Sequence, residues 1–308
     1  MPLRSIASLP RLLGRQGAEA PTGPAPVIDR ARVEGLVRLS LAGLEAMHDP
    51  ARELLFSVTL EEGDQPVRVE HLGVRYTVMS SLGIHDARQA GFATTLDPIR
   101  LLQSGLDQHP GDDIDHLGMA LWADADVGAG ISKAVVPRLL AALDKPLDGV
   151  IGRAVSWALI GLCRYREQAG ADARVDAAAR RLRDHGLAGW HEAGGLFNHF
   201  AGGSAFLRTQ ALFSTQIYWV YALATHGRVF GDAEALRVAG KCADTLIALR
   251  DPFGGWPWRY DAPRGRVTER YPVYSVHQDA MAPMALHVLA EATGREVAAV
   301  NRESLAWL

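Results

Sequence analysis

The sequence predicts an all-α protein, an (α/α) toroid of helical hairpins with a small β-hairpin and a glycine-rich loop on one rim. Three observations predict it. Apolar patterns of helical period recur from residue 29 almost to the C-terminus, separated by short breaks. Alternate segments differ in character. The second, fourth, sixth, eighth and tenth (YTVMSSLGI, HLGMALWA, VSWALIGLC, QIYWVYALA, AMAPMALHVLA) are apolar on most faces, as buried helices are. Their partners, such as VDAAARRLRDHG, carry one apolar stripe and one charged face. Buried helices alternating with surface helices across short turns describe two concentric rings around a cavity. A plain bundle is the competing arrangement; an open solenoid would show a fixed repeat period, and none is visible.

The elements follow in order. Residues 1–28 read as a flexible basic arm and linker, and residues 29–308 as the toroid domain. The first fifteen residues hold three Arg and no acid, without the continuous apolar core of a secretory signal. Residues 16–27 (QGAEAPTGPAPV) are rich in Pro, Gly and Ala. Asp29 caps a first helix whose apolar face is Val33, Leu36, Val37, Leu41 and Leu44. A second helix runs from Glu70 to Gln89, and a third begins at Asp97-Pro98, a cap followed by proline in the first turn. The fourth begins near Asp113 and the fifth near Ser132. The sixth spans Asp148–Arg166, the seventh Ala171–Gly186, the eighth Arg208–His226 and the ninth Asp232–Arg250. The tenth starts near Val276, and the last covers Arg295–Trp307.

Two stretches break the helical rhythm. Residues 186–205 hold too much glycine for a helix interior. Residues 251–275 read as a β-hairpin: Trp256, Trp258 and Tyr260 alternate on one face, DAPRG turns, and Val267, Glu269 and Tyr271 alternate on the return. Each precedes an inner helix, so both belong to the same rim of the cavity.

Composition narrows the function classes. At 48% hydrophobic and 22% charged the chain is that of an ordinary globular protein. The net charge of −3 is spread along the chain, and no basic stripe points to nucleic acid. No apolar run approaches the ~20 residues that span a bilayer, so the chain reads as cytoplasmic. The amphipathic arm leaves open a weak peripheral membrane contact. Cys163 and Cys242 sit in apolar helical stretches and read as buried free thiols. Walker A, G-x-G-x-x-G, G-x-S-x-G and H-E-x-x-H motifs are all missing, and neither metal nor cofactor is expected.

With GGWPWRYD ahead of YPVYSVHQDAMAPMAL, the alternation of helices resembles the α/α-toroid superfold of six-hairpin glycosidases, uronate-processing lyases and epimerases, and terpenoid cyclases. The resemblance covers roughly residues 30–308 and is architectural. The D-x-D-D acid motif of cation-initiating cyclases is missing; the nearest strings are Asp113-Ile-Asp115-His116 and Asp124-Ala-Asp126-Val127.

Candidate residues concentrate at the approach to the tenth helix: Glu269, Arg270, Tyr271, Tyr274, His277, Gln278 and Asp279. Asp279 is the candidate acid or base, with His277 and Tyr274 as proton carriers. The bland alternative is that Asp279 complements the helix dipole while His277 packs under the hairpin. Asp115, at the start of the fourth helix, and Glu192, the carboxylate of the glycine-rich loop, are further acids. HPGDDIDHLG gathers His109, Asp112, Asp113, Asp115 and His116, but the spacing matches no metal motif and suits an N-cap better.

The candidate binding residues are Arg75, Tyr76, His199, Gln216, Tyr218, Trp256, Trp258, Arg259, Tyr260, Glu269 and Arg270. Arg75, inside an apolar helix, needs either an inner-ring Asp or an anionic ligand. The tryptophans and Tyr260 would stack on sugar faces. Together these favour an enzyme acting on an oligosaccharide or uronate-containing glycan by acid/base chemistry. A terpenoid-cyclase-like enzyme, with an apolar cavity, or a non-catalytic glycan-binding or scaffold module are the alternatives.

Overall fold

The computed structural model describes residues 29–60, 66–69, 73–109, 111–200, 210–252, 254–269 and 275–305. The expected arm at 1–28, Arg270, Tyr271, Tyr274 and the end of the last helix lie outside these residues. Eleven α-helices are described: α1 (Arg30–Met47), α2 (Gly73–Gln89), α3 (Pro98–Asp107), α4 (Ile114–Val127), α5 (Ser132–Leu143), α6 (Gly152–Ala169), α7 (Ala173–Ala188), α8 (Phe213–Phe230), α9 (Ala233–Ala248), α10 (Ala282–Thr293) and α11 (Ala298–Leu305). A single turn of π-helix, His277–Met281, leads into α10.

Each even-numbered helix packs on the odd-numbered helix that follows it, and α2, α4, α6, α8 and α10 pack successively on one another. This is the toroid: five hairpins, with the apolar helices inside. Because every inner helix returns through an outer one, the inner helices share one direction. The ion pairs between them record this. Arg75 and Asp115 join the starts of α2 and α4. Arg164 joins Asp126, and Arg228 joins Glu167, at the far ends of α4, α6 and α8.

The tightest joint is between α4 and α6. A Cβ on Gly118 would lie 2.5 Å from the Cα and 2.6 Å from the N of Ala158, so the two backbones touch. Around it the core is continuous, and Val155, Leu159, Ile160, Leu162, Ile217, Val220 and Leu223 are fully buried. The two thiols belong to this core. Burial pushes both Cys163 and Cys242 far above the ordinary thiol range. Neither is expected to react with a maleimide in native buffer, and both should react in urea; rapid native labelling would contradict the packing.

Four of the outer helices are capped by aspartate, two of them, at Asp29 and Asp97, as expected. Asp29, Asp97, Asp172 and Asp232 each accept a hydrogen bond from the backbone N–H groups that open α1, α3, α7 and α9. Asp113 departs from this expectation: its side chain does not cap α4 but lies 3.3 Å from Nε2 of His109.

Nine short strands occupy the connections. Residues 48–69, between the first two helices, form two small hairpins: β1 (His48–Asp49) with β2 (Leu54–Leu55), and β3 (Ser57–Leu60) with β4 (Pro66–Val69). The glycine-rich loop opens with β5 (Trp190–His191) and β6 (Leu196–Phe197). The predicted hairpin is present as β8 (Arg259–Asp261) and β9 (Arg266–Glu269), and β7 (Gln210–Leu212) adds a third strand. That strand shortens the eighth helix, which starts at Phe213 rather than Arg208. The two rim insertions are locked together. A Cβ on Gly194 would meet Gly265 N and Pro263 C at 2.8 Å, so only glycine lets the loop seat on the hairpin turn.

Candidate functional site

Parallel inner helices bring five N-termini to one rim. The starts of α4, α6, α8 and the π-turn receive no cap from the preceding side chain, and neither does outer helix α5, whereas α1, α3, α7 and α9 do. The rim insertions converge there. The Gly152 N–H donates to the His199 carbonyl (2.8 Å), His199 Nδ1 pairs with Thr215 Oγ1 (2.6 Å), and the Phe213 N–H donates to the Trp258 carbonyl (2.9 Å). Helix N-termini carry a partial positive charge that favours anions.

The centre of this rim is Arg153, in the first turn of α6, which the sequence reading did not single out. Its guanidinium lies 4.2 Å from the Trp157 ring centroid and makes no hydrogen bond or ion pair with any described residue. Burial lowers its pKa, and nearby Arg75 lowers it further. The nearest acid, Asp115, is already engaged: Oδ2 accepts from Arg75 at 2.7 Å and Oδ1 from the His116 N–H at 2.9 Å.

Around Arg153 stand His277, His199 and Tyr218. Burial, then the field of Arg153, brings His277 down to about 4 and lowers His199 as well, so both are neutral near pH 7. Burial pushes Tyr218 up to about 12, keeping its phenol protonated. The His277 ring lies 5.6 Å from Tyr218 and 5.9 Å from Trp258. His277 Nδ1 is buried without a hydrogen-bond partner among the described residues, a state that costs free energy until a ligand supplies one, while the Tyr218 ring meets Trp157 edge-on.

Adjoining the polar rim is an open cavity of about 470 Å³, with Tyr76, Gly83, Asp86 and Val276 exposed along it. Trp157 and Tyr218 border both. The cavity walls are mostly apolar, with Val78, Leu82, Trp122 and several methionines; Asp86 is the one carboxylate among the described lining residues. Burial and the nearby Asp126 raise the Asp86 pKa.

The expected residues divide accordingly. Arg75, Asp115, His199, Tyr218, Trp258 and His277 gather at the rim. Tyr76 is exposed and lines the lip of the cavity. Trp256, Tyr260 and Gln216 serve the core instead. Trp256 donates to Ser304 Oγ (3.0 Å), Tyr260 to the Pro257 carbonyl (2.6 Å), and the Gln216 amide pairs with both backbone groups of Phe197. Arg259 and Glu269 pair with each other across β8 and β9 at 3.3 Å. Glu192 faces outward, where Arg237, Lys241 and the Trp190 N–H hold it down to about 2, so it carries no proton near pH 7. Asp279 is half-buried, its pKa raised by that burial. Two positions after His277 in a π-turn, it departs from the opposite side of the helix. Arg270 and Tyr274 lie outside the described residues. Within these, no three His, Cys, Asp or Glu gather to hold a metal, and no helix is long and apolar enough to cross a membrane.

Three histidines, His116, His226 and His277, are each brought to about 4, chiefly by burial. A lowered folded-state pKa means the unfolded chain binds the extra protons. Their stabilisation is therefore complete above about 6.5, the ordinary histidine value, and is lost as pH falls from there toward 4. Thermal unfolding across this window should show a falling Tm, with a shallower fall in His226→Asn. A flat profile would contradict their burial.

The class defined by the fold and the rim is an α/α toroid with a half-buried arginine at its mouth. Among solved structures the chain is similar to unsaturated glucuronyl hydrolase from Bacillus sp. GL1, with a TM-score of 0.62 and 15% identity over 89% of this chain and 81% of that one. A double mutant of unsaturated glucuronyl hydrolase from Streptococcus agalactiae matches with a TM-score of 0.64 and 10% identity, over 91% and 78%. A Klebsiella pneumoniae protein described as a possible member of the GH105 family matches at 0.63 and 11%, over 99% and 85%. At such identities the likeness is one of fold. No protein-family model and no curated protein matches the sequence.

Proposed function

We propose that the protein is a carbohydrate-active enzyme that binds a uronate-containing glycan at the rim and moves a proton at the carbon beside the carboxylate, as a lyase or epimerase. The observation that carries this reading is Arg153, a half-buried guanidinium without a carboxylate partner among the described residues, facing two neutral imidazoles and a phenol.

Each group then has a task. Arg153 takes the uronate carboxylate in a two-pronged contact. That neutralises its charge and acidifies the adjacent C–H. The carboxylate also offsets the Arg153 field that lowers the His277 pKa, so a bound substrate makes His277 a stronger base. His277 removes the proton. Tyr218, protonated, donates to the leaving oxygen in elimination, or to the opposite face of the carbanion in epimerisation. Trp258 supplies the aromatic wall. The base thus falls to His277 rather than Asp279. Hydrolysis by paired acids requires two carboxyls about 5–10 Å apart, and Asp115 is held by Arg75 and the His116 N–H rather than paired with a second carboxyl. Glucuronyl hydrolases among the fold relatives support a uronate at this mouth.

The test is proton exchange. Uronate-containing oligosaccharides incubated with the enzyme in deuterium oxide should either gain deuterium at the carbon beside the carboxylate, as an epimerase requires, or give an unsaturated product that has lost the hydrogen of that carbon, as a lyase requires. Binding without exchange or bond cleavage would identify a glycan-binding module instead. Cleavage to a saturated product would identify a hydrolase.

A further inference from the structure

The apolar cavity has no task in proton transfer at the rim, yet its composition is specific. Of six methionines in the chain, the five after Met1 line this one cavity: Met47 from α1, Met79 from α2, Met119 from α4, Met281 from the π-turn and Met284 from α10. Methionine is unbranched and polarizable, and it moulds itself to flexible apolar ligands better than branched side chains do. An ordinary core uses it to fill gaps; here five line a void of about 470 Å³, within the ~300–1,000 Å³ range of small-molecule sites.

The lip is apolar too. Tyr76 and Val276, 38% and 53% exposed, are among the few large hydrophobic side chains left in solvent, and both line the cavity. The inner end is shared with the anion site, since Trp157 carries Arg153 on its face and Tyr218 neighbours His277. A ligand filling both spaces has a charged head against Arg153 and one apolar chain running along the cavity.

We infer that the cavity holds the apolar chain of an amphipathic substrate, so the glycan is presented as a lipid-linked uronate. The inference rests on the uronate reading for the head alone; the chain site stands on the cavity. Acyl and isoprenoid chains share the required chemistry, and the test separates them.

Affinities of the full-length protein for methyl, butyl, octyl and dodecyl β-D-glucuronide, and for a farnesyl glucuronide, should be measured by calorimetry. Affinity should rise by about fourfold per added methylene until the cavity is full, the ~0.8 kcal/mol of each buried CH₂ at ~1.4 kcal/mol per decade. Whether farnesyl outbinds dodecyl identifies the chain as isoprenoid or acyl. Gly83 lines the cavity and has open space where a Cβ would stand. Gly83→Phe should therefore fill the space without a backbone clash and flatten the chain-length series, its fold verified by an unchanged circular dichroism spectrum. Affinity independent of chain length, with the methyl compound bound, would overturn the chain site and leave the uronate reading intact. Binding of dodecanol as tight as dodecyl glucuronide, with no binding of the methyl compound, would overturn the uronate reading and leave the chain site intact. A chain-length series equally steep in Gly83→Phe would place the chain elsewhere and overturn the inference.

Discussion

Arg153→Met is expected to reduce kcat/KM on a uronate-containing substrate by about 10²–10³-fold, the usual loss when one preorganised charged donor is removed. It should leave the Tm unchanged or raise it. The two halves of this prediction have one cause. Arg153 carries the desolvation cost of a half-buried cation with no carboxylate paired to it among the described residues, offset in part by stacking on Trp157 and by the field of Asp115. Methionine keeps the stacking volume and removes the charge. Arg153→Lys separates the contributions, because it retains the charge and loses the planar fork; it should bind uronate more weakly than the parent and more tightly than Met. A second readout follows from the His277 titration. Without the guanidinium its pKa should rise from about 4 toward the ordinary value, followed by NMR. A sharp fall in Tm in Arg153→Met, with the His277 titration unmoved, would show that Arg153 holds the fold rather than the ligand.

Gly118→Ala should cost about 2 kcal/mol or more and lower the Tm by roughly 4–8 °C, at ~2–4 °C per kcal/mol for a domain approaching this size. Alanine is the better helix former by ~1 kcal/mol, so any loss measures the clash. The added methyl meets the Cα and N of Ala158, backbone atoms that cannot rotate aside, and α4 must separate from α6. Gly43→Ala on α1 is the matched control: nothing lies within 4 Å of its Cβ position, and it should stabilise by ~0.5–1 kcal/mol. Differential scanning calorimetry of both variants checks the pair. Equal Tm changes would contradict the close approach of the two helices.

The helices were legible because burial writes itself into periodicity. Segments such as QIYWVYALA, apolar on every side, lie between neighbours, and that is where α8 is found. The rim was legible only in part. Strand alternation places Trp256, Trp258 and Tyr260 on a common face, but it does not say whether that face meets a cavity or a core. Trp256 and Tyr260 turn to the core, and Trp258 alone reaches His277. Asp279 follows His277 by two residues, a spacing that puts the two side chains on opposite sides of an α- or a π-turn alike. Arg153 went unnoticed although the signal was available. A cation in the first turn of an apolar inner helix raises at Arg153 the same question that it raised at Arg75, and only coordinates show that Arg75 has its acid while Arg153 does not. The cavity was invisible, since the five methionines come from four separate stretches of the chain.

The shared direction of the inner helices carries a further consequence. Every hairpin delivers the second or third residue of its inner helix to the same mouth: Arg75, Asp115, Arg153 and Thr215 in turn, with His277 opening the π-turn. The positions at the mouth are thus supplied one per hairpin, but they are not independent letters. Arg75 is ion-paired with Asp115 and Thr215 holds His199, so a combinatorial library at the mouth has to vary the members of each pair together to leave the ring intact.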